Sequence, residues 1–366
     1  MDANAYIQGF LAEYQHYKPY WNYEDGCVLK GCADLWRATS KAGYRRFILD
    51  YLADEVSPDG EILHYETQQY NIDSVNSGKA LFFGWHETSE ERYRKAIEYQ
   101  MQRLREHPRC DCGSFWHKTI YPWQIWLDGL YMAVPFYAQY ERELDDWKQI
   151  GDVVRQFENV RARLYCAENR LYYHACDEKR AQPWANPQTG CSPNFWLRSI
   201  GWWLMAMVDT IELLPEELYD KRRAVEDIFR EAVRGLMPYA DAKTGLFYQV
   251  VDHPEAKGNY LETSGSAMAG YALLKGCRIG TLNAEKYRAE GLRIVRALAE
   301  NKLRKDDAGS LHLTDICAVA GLGPGEKRDG SVAYYLSEPI VSDDAKGVGP
   351  FMMAWSEYLL AQKEEK

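Results

Sequence analysis

Gly129–Tyr140, GLYMAVPFYAQY, and Trp147–Leu164, WKQIGDVVRQFENVRARL, together set how the rest of the chain is read. The first stretch is small and aromatic around its whole circumference. The second carries charge on one side and apolar residues at three- and four-residue spacing. A helix buried on most faces is apolar all round, whereas a covering helix shows a single stripe. The two stretches therefore read as an inner helix and the outer helix that covers it.

The same alternation recurs in both directions along the chain. Cys27–Ala38 precedes the more mixed Tyr44–Leu52, and Ser74–His86 precedes the one-sided Glu90–Leu104. Downstream, Phe195–Leu213 pairs with Leu218–Leu236, and Ser264–Cys277 with Ala284–Leu298. Pro350–Ala361 is a last inner-type helix, with Asn4–Gln15 from the other end of the chain as the available outer partner. Twelve helices in six pairs result. A linear stack of helix pairs would leave two ends to cap, whereas pairing the terminal helices closes the set into a ring. The expected fold is all-α, a six-hairpin (α/α)6 barrel occupying residues 1–366 as one catalytic domain, with short extended segments at the mouth. Turns such as Asp59-Gly60, Cys112-Gly113, Gly245 and Gly309 each introduce a brief alternating stretch between an outer helix and the next inner one. The longest such excursion, 301–349, has room for a lid.

Bulk properties narrow the function. A chain of 366 residues can bury a large core. Its net charge of −10 lacks the basic surface that a phosphate backbone needs, so no nucleic-acid partner is expected. No apolar run reaches the length a bilayer span requires, and the first residues show neither a basic leader nor an apolar stretch. No membrane association and a cytoplasmic location are the expectations. Nine scattered cysteines fit reduced thiols. Cys110-x-Cys112 has the wrong spacing for a zinc knuckle, and no His cluster has ligand spacing, so neither metal nor cofactor is expected. The 12 Trp and 27 Tyr are the unusual feature: much of this belongs to the core, but aromatic faces also suit sugars.

Polar residues sit where the inner helices begin: Asp25, Asp73, Asp128, Arg198 and Glu262-Thr263-Ser264. Each acid alone reads most simply as a helix cap. If the inner helices run the same way, however, these residues gather at one rim with many aromatics. Tryptophan beside a carboxylate desolvates it and favours its neutral, proton-donating form. His64, His86 and His312 read as hydrogen-bonded loop or helix-end residues.

Two long blocks, YPWQIWLDGLYM at 121–132 and PWANPQTGCSPNFWLRSIGW at 183–202, together with LETSGS at 261–266, carry a resemblance. From about Tyr23 to Trp355 the chain resembles the unsaturated rhamnogalacturonyl hydrolases, glycoside hydrolase family 105. That family is a six-hairpin α/α barrel. The resemblance implies action on the 4,5-unsaturated uronic acid that a polysaccharide lyase leaves at a non-reducing end, hence a small anionic oligosaccharide as substrate. It places the family's essential aspartate, general acid and base, on Asp128. A second aspartate, which orients substrate or water, falls on Asp73 within Asp73-Ser-Val-Asn-Ser-Gly78. Tyr23, His117, Lys118, Trp126, His174, Trp196, Arg198 and Trp202 fall on pocket positions, with Arg198 the expected clamp for the uronate. Asn76-Ser77 departs from the Gln-Ala of close relatives. Unsaturated glucuronyl hydrolysis of other disaccharides is the near alternative. A noncatalytic carbohydrate-binding protein and a histidine-dependent epimerase are the alternatives from other classes.

Overall fold

The computed structural model describes residues 2–364. Its helices are α1 (Ala3–Glu13), α2 (Tyr23–Thr39), α3 (Ala42–Glu55), α4 (Lys79–Thr88), α5 (Glu91–Arg105), α6 (Leu127–Glu143) and α7 (Ile150–Leu164). They continue as α8 (Leu197–Leu213), α9 (Tyr219–Leu236), α10 (Thr263–Arg278), α11 (Ala284–Asn301), the short α12 (Val332–Ser337) and α13 (Ala345–Glu364). An inner ring is made by α2, the 3-10 turn Ile72–Gly78 (which leads into α4), α6, α8, α10 and α13, each packed on the next, and α13 returns onto α2. Around them, α3, α5, α7, α9 and α11 each cover the inner helix that precedes them. The outer partner of α13 is α1: the Tyr6 ring meets Phe351 edge-on at 6.2 Å, and the Trp355 indole donates to Asn4 Oδ1 at 3.0 Å. The (α/α)6 ring expected from the helix alternation is thus closed, and an open stack is excluded by the contact between α13 and α2.

Closure depends on backbones that touch. At Gly31 of α2 an added Cβ would lie 2.8 Å from Met352 Cβ, and at Gly349 of α13 it would lie 2.6 Å from the Cys27 backbone. Neither position can hold a side chain while the seam keeps its spacing.

The inner helix expected at Ser74–His86 is instead two pieces. Ile72–Gly78 forms a 3-10 turn, and only Lys79–Thr88 is α-helical. Side chains explain the change. Asn76 Nδ2 donates to the Tyr23 carbonyl at 2.9 Å, and Ser77 Oγ donates to the Asn22 carbonyl. Short polar side chains that bond to another segment's backbone hold their own backbone off the α ladder. The Asn76-Ser77 pair thereby ties the start of α2 to the start of the second inner helix.

The extended segments form four two-stranded antiparallel ladders. In chain order the strands are β1 (Gln124–Trp126), β2 (Tyr165–Cys166), β3 (Leu171–Tyr172), β4 (Ala175–Asp177), β5 (Leu303–Lys305), β6 (Leu311–Leu313), β7 (Ile316–Cys317) and β8 (Ile340–Val341). β1 pairs with β4, β2 with β3, β5 with β6, and β7 with β8. The last two pairs and α12 structure the 301–349 excursion, whose internal helix the sequence periodicity does not announce. Among the described residues no helix is long and apolar enough to cross a membrane.

The seam makes a prediction. Gly349→Ala should lower folding stability by about 1–3 kcal/mol, the usual range for overpacking a close contact, read from urea denaturation. Gly9→Ala in α1, where nothing lies within 4 Å of the added methyl, should be neutral or stabilising by up to about 1 kcal/mol. Equal effects would show that the seam is not under this constraint.

Candidate active site

The starts of α2 and α6 and the 3-10 turn before α4 open on one pocket of about 170 Å³. That is below the roughly 300–1,000 Å³ of clefts that hold drug-sized ligands, and suits a single sugar ring. Its walls are Lys18, Tyr23, Glu24, Asp73, His117, Lys118, Tyr121, Trp126, Asp128 and Met132, closed on one side by Val319, Ala320, Gly321 and Arg328 from the long excursion. Six of the residues expected from the sequence therefore meet here: Tyr23, Asp73, His117, Lys118, Trp126 and Asp128.

Asp128 occupies the first turn of α6, immediately after β1. The ladder between β1 and β4 sets Trp126 opposite Ala175, and the Leu127 N–H donates to the His174 carbonyl at 3.1 Å. This local pairing brings the fully buried His174 to Asp128, with Nε2 3.3 Å from Oδ2. Neither of those two atoms has a hydrogen-bond partner among the described residues. On its other side His174 Nδ1 lies 2.9 Å from the Tyr335 hydroxyl. Trp126 and Trp196 hold the His174 ring, with centroids at 5.1 and 4.7 Å.

Asp73 is organised differently. Lys118 Nζ contacts its Oδ2 at 2.8 Å, and His117 Nε2 lies 3.7 Å from Oδ1. Burial pushes the Asp73 carboxyl up, but the Lys118 charge, joined by His117 only at the low pH where that ring is protonated, outweighs it and holds the group below the usual carboxylate range. His117 is stacked flat on Trp126, with centroids 4.4 Å apart. Burial brings its imidazole down to about 4 despite the attraction of Asp73, so the ring is neutral near pH 7. Lys118 is held above its ordinary value because the pull of Asp73 exceeds the cost of its burial.

The other expected residues stand behind or away from the pocket wall. Trp196 stacks 6.1 Å from Tyr335 behind His174. Trp202 lies in the barrel core, stacked 4.8 Å from Tyr131. Arg198 is buried, its guanidinium 4.8 Å from the Trp196 ring, and donates to the Cys317 carbonyl and, at 3.4 Å, to that of Ala318. Glu262 caps α10 through the Ser264 and Gly265 N–H groups and also accepts from the Cys317 N–H at 3.1 Å. His86 and His312 bond to Glu143 and Asp343, as helix-end and loop histidines should.

Sequence reading missed Lys18, Glu24, Tyr121, Arg328 and Tyr335. Glu24 directly follows Tyr23 and was within reach as a helix-start acid. Burial raises its carboxyl while Lys18, 2.6 Å away, opposes the rise. The other four lie in loops or short elements with no periodicity to mark them.

A closed ring of helix pairs with a buried and a half-buried aspartate in a tryptophan-walled, sugar-sized pocket defines a carbohydrate-active enzyme of the (α/α)6 class. The chain belongs to Glycosyl Hydrolase Family 88, whose profile matches residues 3–362, and it is a glycoside hydrolase. It is similar in structure to a family 105 glycoside hydrolase of C. acetobutylicum ATCC 824, at 42% identity and a TM-score of 0.93, covering 98% of this chain and 99% of that one. It is 43% identical over 234 residues to Protein Atu3128 of Agrobacterium fabrum, covering 63% of this chain and 99% of that one. It is also 26% identical over 272 residues to the unsaturated rhamnogalacturonyl hydrolase YesR of Bacillus subtilis, covering 73% of this chain and 74% of that one.

The neutral His117 has a measurable consequence. Its unfolded-state value lies near 6.5 and its folded value near 4. Between those values the unfolded chain binds the extra proton, so His117 costs no stability above about 6.5 and an increasing amount as pH falls toward 4. NMR should show its imidazole neutral at pH 6. His117→Asn should flatten the loss of stability between pH 6.5 and 4. A ring that titrates near 6.5 would refute this environment.

Proposed function

We propose that this glycoside hydrolase removes the 4,5-unsaturated galacturonyl residue from the non-reducing end of lyase-generated rhamnogalacturonan fragments. The observation that carries the reading is the unequal pair of acids: Asp73 locked as a carboxylate by Lys118, and Asp128 facing a buried histidine with an oxygen free of hydrogen bonds.

The C4=C5 bond of such a sugar is an enol ether, and protonation at C4 places positive charge on C5 and the ring oxygen. Asp128 delivers that proton. Water then adds at C5 and gives its proton back to Asp128, forming a hemiketal. The ring opens to a C5 ketone, and C1 becomes an aldehyde as the leaving sugar departs with its oxygen and a proton. One water is consumed and Asp128 ends as it began. Because no direct displacement occurs at C1, carboxylate separation does not predict stereochemistry as it does for ordinary glycosidases.

His174 supports both states of Asp128. The Tyr335 hydroxyl can donate to or accept from Nδ1. Nε2 can therefore accept from the protonated acid or donate to the carboxylate. Asp73 and Lys118 form a fixed polar pair for the sugar hydroxyls. Trp126, backed by His117, supplies an apolar wall, and Tyr23 another.

The pocket volume suits one sugar ring, so the identity of the leaving sugar rests on the similarity to the unsaturated rhamnogalacturonyl hydrolase YesR. Unsaturated glucuronyl disaccharides are the second substrate class to assay. With unsaturated galacturonyl-rhamnose, ultraviolet absorbance of the conjugated double bond should fall as free rhamnose appears. Asp128→Asn should lower kcat by about 10³-fold or more while KM stays within a few-fold, the pattern of a lost transition-state interaction. Substantial residual turnover in that variant would remove Asp128 from the proton-transfer step. Free sugar appearing without loss of absorbance would exclude hydration.

A further inference from the structure

An unsaturated uronate brings its own negative charge into a pocket that already holds Glu24, Asp73 and Asp128. Three cations line the same walls, and two of them are committed. Lys18 pairs with Glu24 at 2.6 Å and Lys118 with Asp73 at 2.8 Å. The third, Arg328, has no carboxylate within ion-pair distance and no hydrogen-bond acceptor for its guanidinium among the described residues. Arg198, the arginine singled out by the sequence, is in the opposite condition. It is buried outside the pocket lining, and its donors are engaged by the Cys317 and Ala318 carbonyls.

The loop that carries Arg328 is built to hold it in place. The Gly323 N–H donates to the Arg328 carbonyl at 2.9 Å, closing a tight turn, with Gly323 and Gly325 in the left-handed region (φ 54° and 88°). Before the turn, Leu322 is buried against Tyr121, Trp126 and Trp184, and the Gly321 N–H donates to the Tyr334 hydroxyl at 2.9 Å. After it, the Gly330 carbonyl accepts from Asn194 Nδ2 at 2.8 Å. Gly321 leaves the space that the guanidinium uses: a Cβ there would stand 3.1 Å from Arg328 Nη1 and 3.5 Å from the Trp126 ring. The cation is therefore presented beside the aromatic wall, in the same pocket of about 170 Å³ that Asp128 lines.

We propose that Arg328 is the specificity residue that takes the carboxylate of the unsaturated uronate, and that Arg198 is a positioning residue that anchors the base of the same loop. The inference rests on the substrate reading above and deepens it. A guanidinium fork matches two carboxylate oxygens, and an unpartnered half-buried arginine has the donors to spare. Placed there, the carboxylate is kept from the three acids, and the ring is turned so that C4 can face Asp128. Because the same contact exists before and after protonation, its loss should appear in KM more than in kcat.

The test compares an unsaturated uronyl disaccharide with its methyl ester in wild-type, Arg328→Met, Arg328→Lys, Arg198→Met and Lys327→Met proteins, following the absorbance and the melting temperature of each. Wild type should prefer the free acid over the ester in kcat/KM by about 30-fold or more, as expected for a desolvated charge pair. Arg328→Met should reduce that preference to within about 3-fold, mainly through a higher KM for the acid, with an unchanged melting temperature because no internal partner is lost. Arg328→Lys should fall between the two. Lys327→Met, which alters an exposed neighbouring charge, should keep the wild-type preference. Arg198→Met should lower the melting temperature. The proposal is overturned if Arg328→Met keeps the acid preference, or if only Arg198→Met abolishes it. Should wild type leave every unsaturated uronyl substrate untouched, the substrate reading fails and this inference fails with it, an outcome recognisable before any variant is made.

Discussion

The bare-backbone contact between α2 and α13 is what the rest of the molecule depends on. With Gly31 and Gly349 at the seam, the last inner helix settles against the first and the six inner helices point the same way. Helix starts then share one rim and helix ends the other. A helix start carries partial positive charge and its end partial negative charge. The side chains sort to match. Glu24, Asp73 and Asp128 lie at the starts, while Arg37, His86, Arg142, Lys275 and Arg278 lie in the last turns. At the far rim Arg37, Lys275 and Arg278 find Glu212 and Glu357: Arg278 contacts both at 2.8 Å, and Lys275 reaches Glu212 at 2.6 Å. With an outer helix returning the chain after each inner one, the closed ring gathers the carboxylates of the helix starts at one rim.

Carboxylates at helix starts do not by themselves make a closed pocket. The long excursion between α11 and α13 completes it, and two buried groups fix where that segment runs. Glu262 spends one carboxylate on capping α10 and on the Cys317 N–H. Arg198 takes the Cys317 and Ala318 carbonyls. Between them they grip both polar sides of one stretch of chain just before Val319, Ala320 and Gly321 enter the wall. A buried arginine needs acceptors for its donors, and here the backbone supplies them.

The ring was legible in the sequence because it rests on periodicity: buried helices apolar all round, covering helices striped, and two terminal helices left to pair. Helix starts were legible for the same reason, which is why Asp73 and Asp128 were found, whereas Tyr23 came from the family resemblance alone. The 3-10 turn at Ile72–Gly78 was not, because it is imposed by bonds from Asn76 and Ser77 to a segment more than fifty residues away. Arg328 and Tyr335 were invisible for a related reason. Their segment has no repeating pattern, and only the folded ring places it over the pocket. Arg198 shows the converse limit. Its position in a Trp-Leu-Arg block drew attention to it, yet nothing in that block tells whether the guanidinium faces a ligand or a neighbouring carbonyl.

In the proposed mechanism two aspartates, one in the 3-10 turn before α4 and one in the first turn of α6, do different work because of what stands beside them. Asp73 has a lysine at contact distance and a neutral histidine that is itself locked flat on a tryptophan. Its charge is therefore fixed, and a fixed charge can orient hydroxyls but cannot carry a proton back and forth. Among the described residues Asp128 has no lysine or arginine within ion-pair distance. Its neighbour is an imidazole whose far nitrogen meets a tyrosine hydroxyl, a group able to donate or accept. That pairing tolerates either protonation state of the acid, as a residue that first gives and then regains a proton requires. The division of labour proposed for the two acids thus rests on Lys118 on one side and the His174–Tyr335 pair on the other.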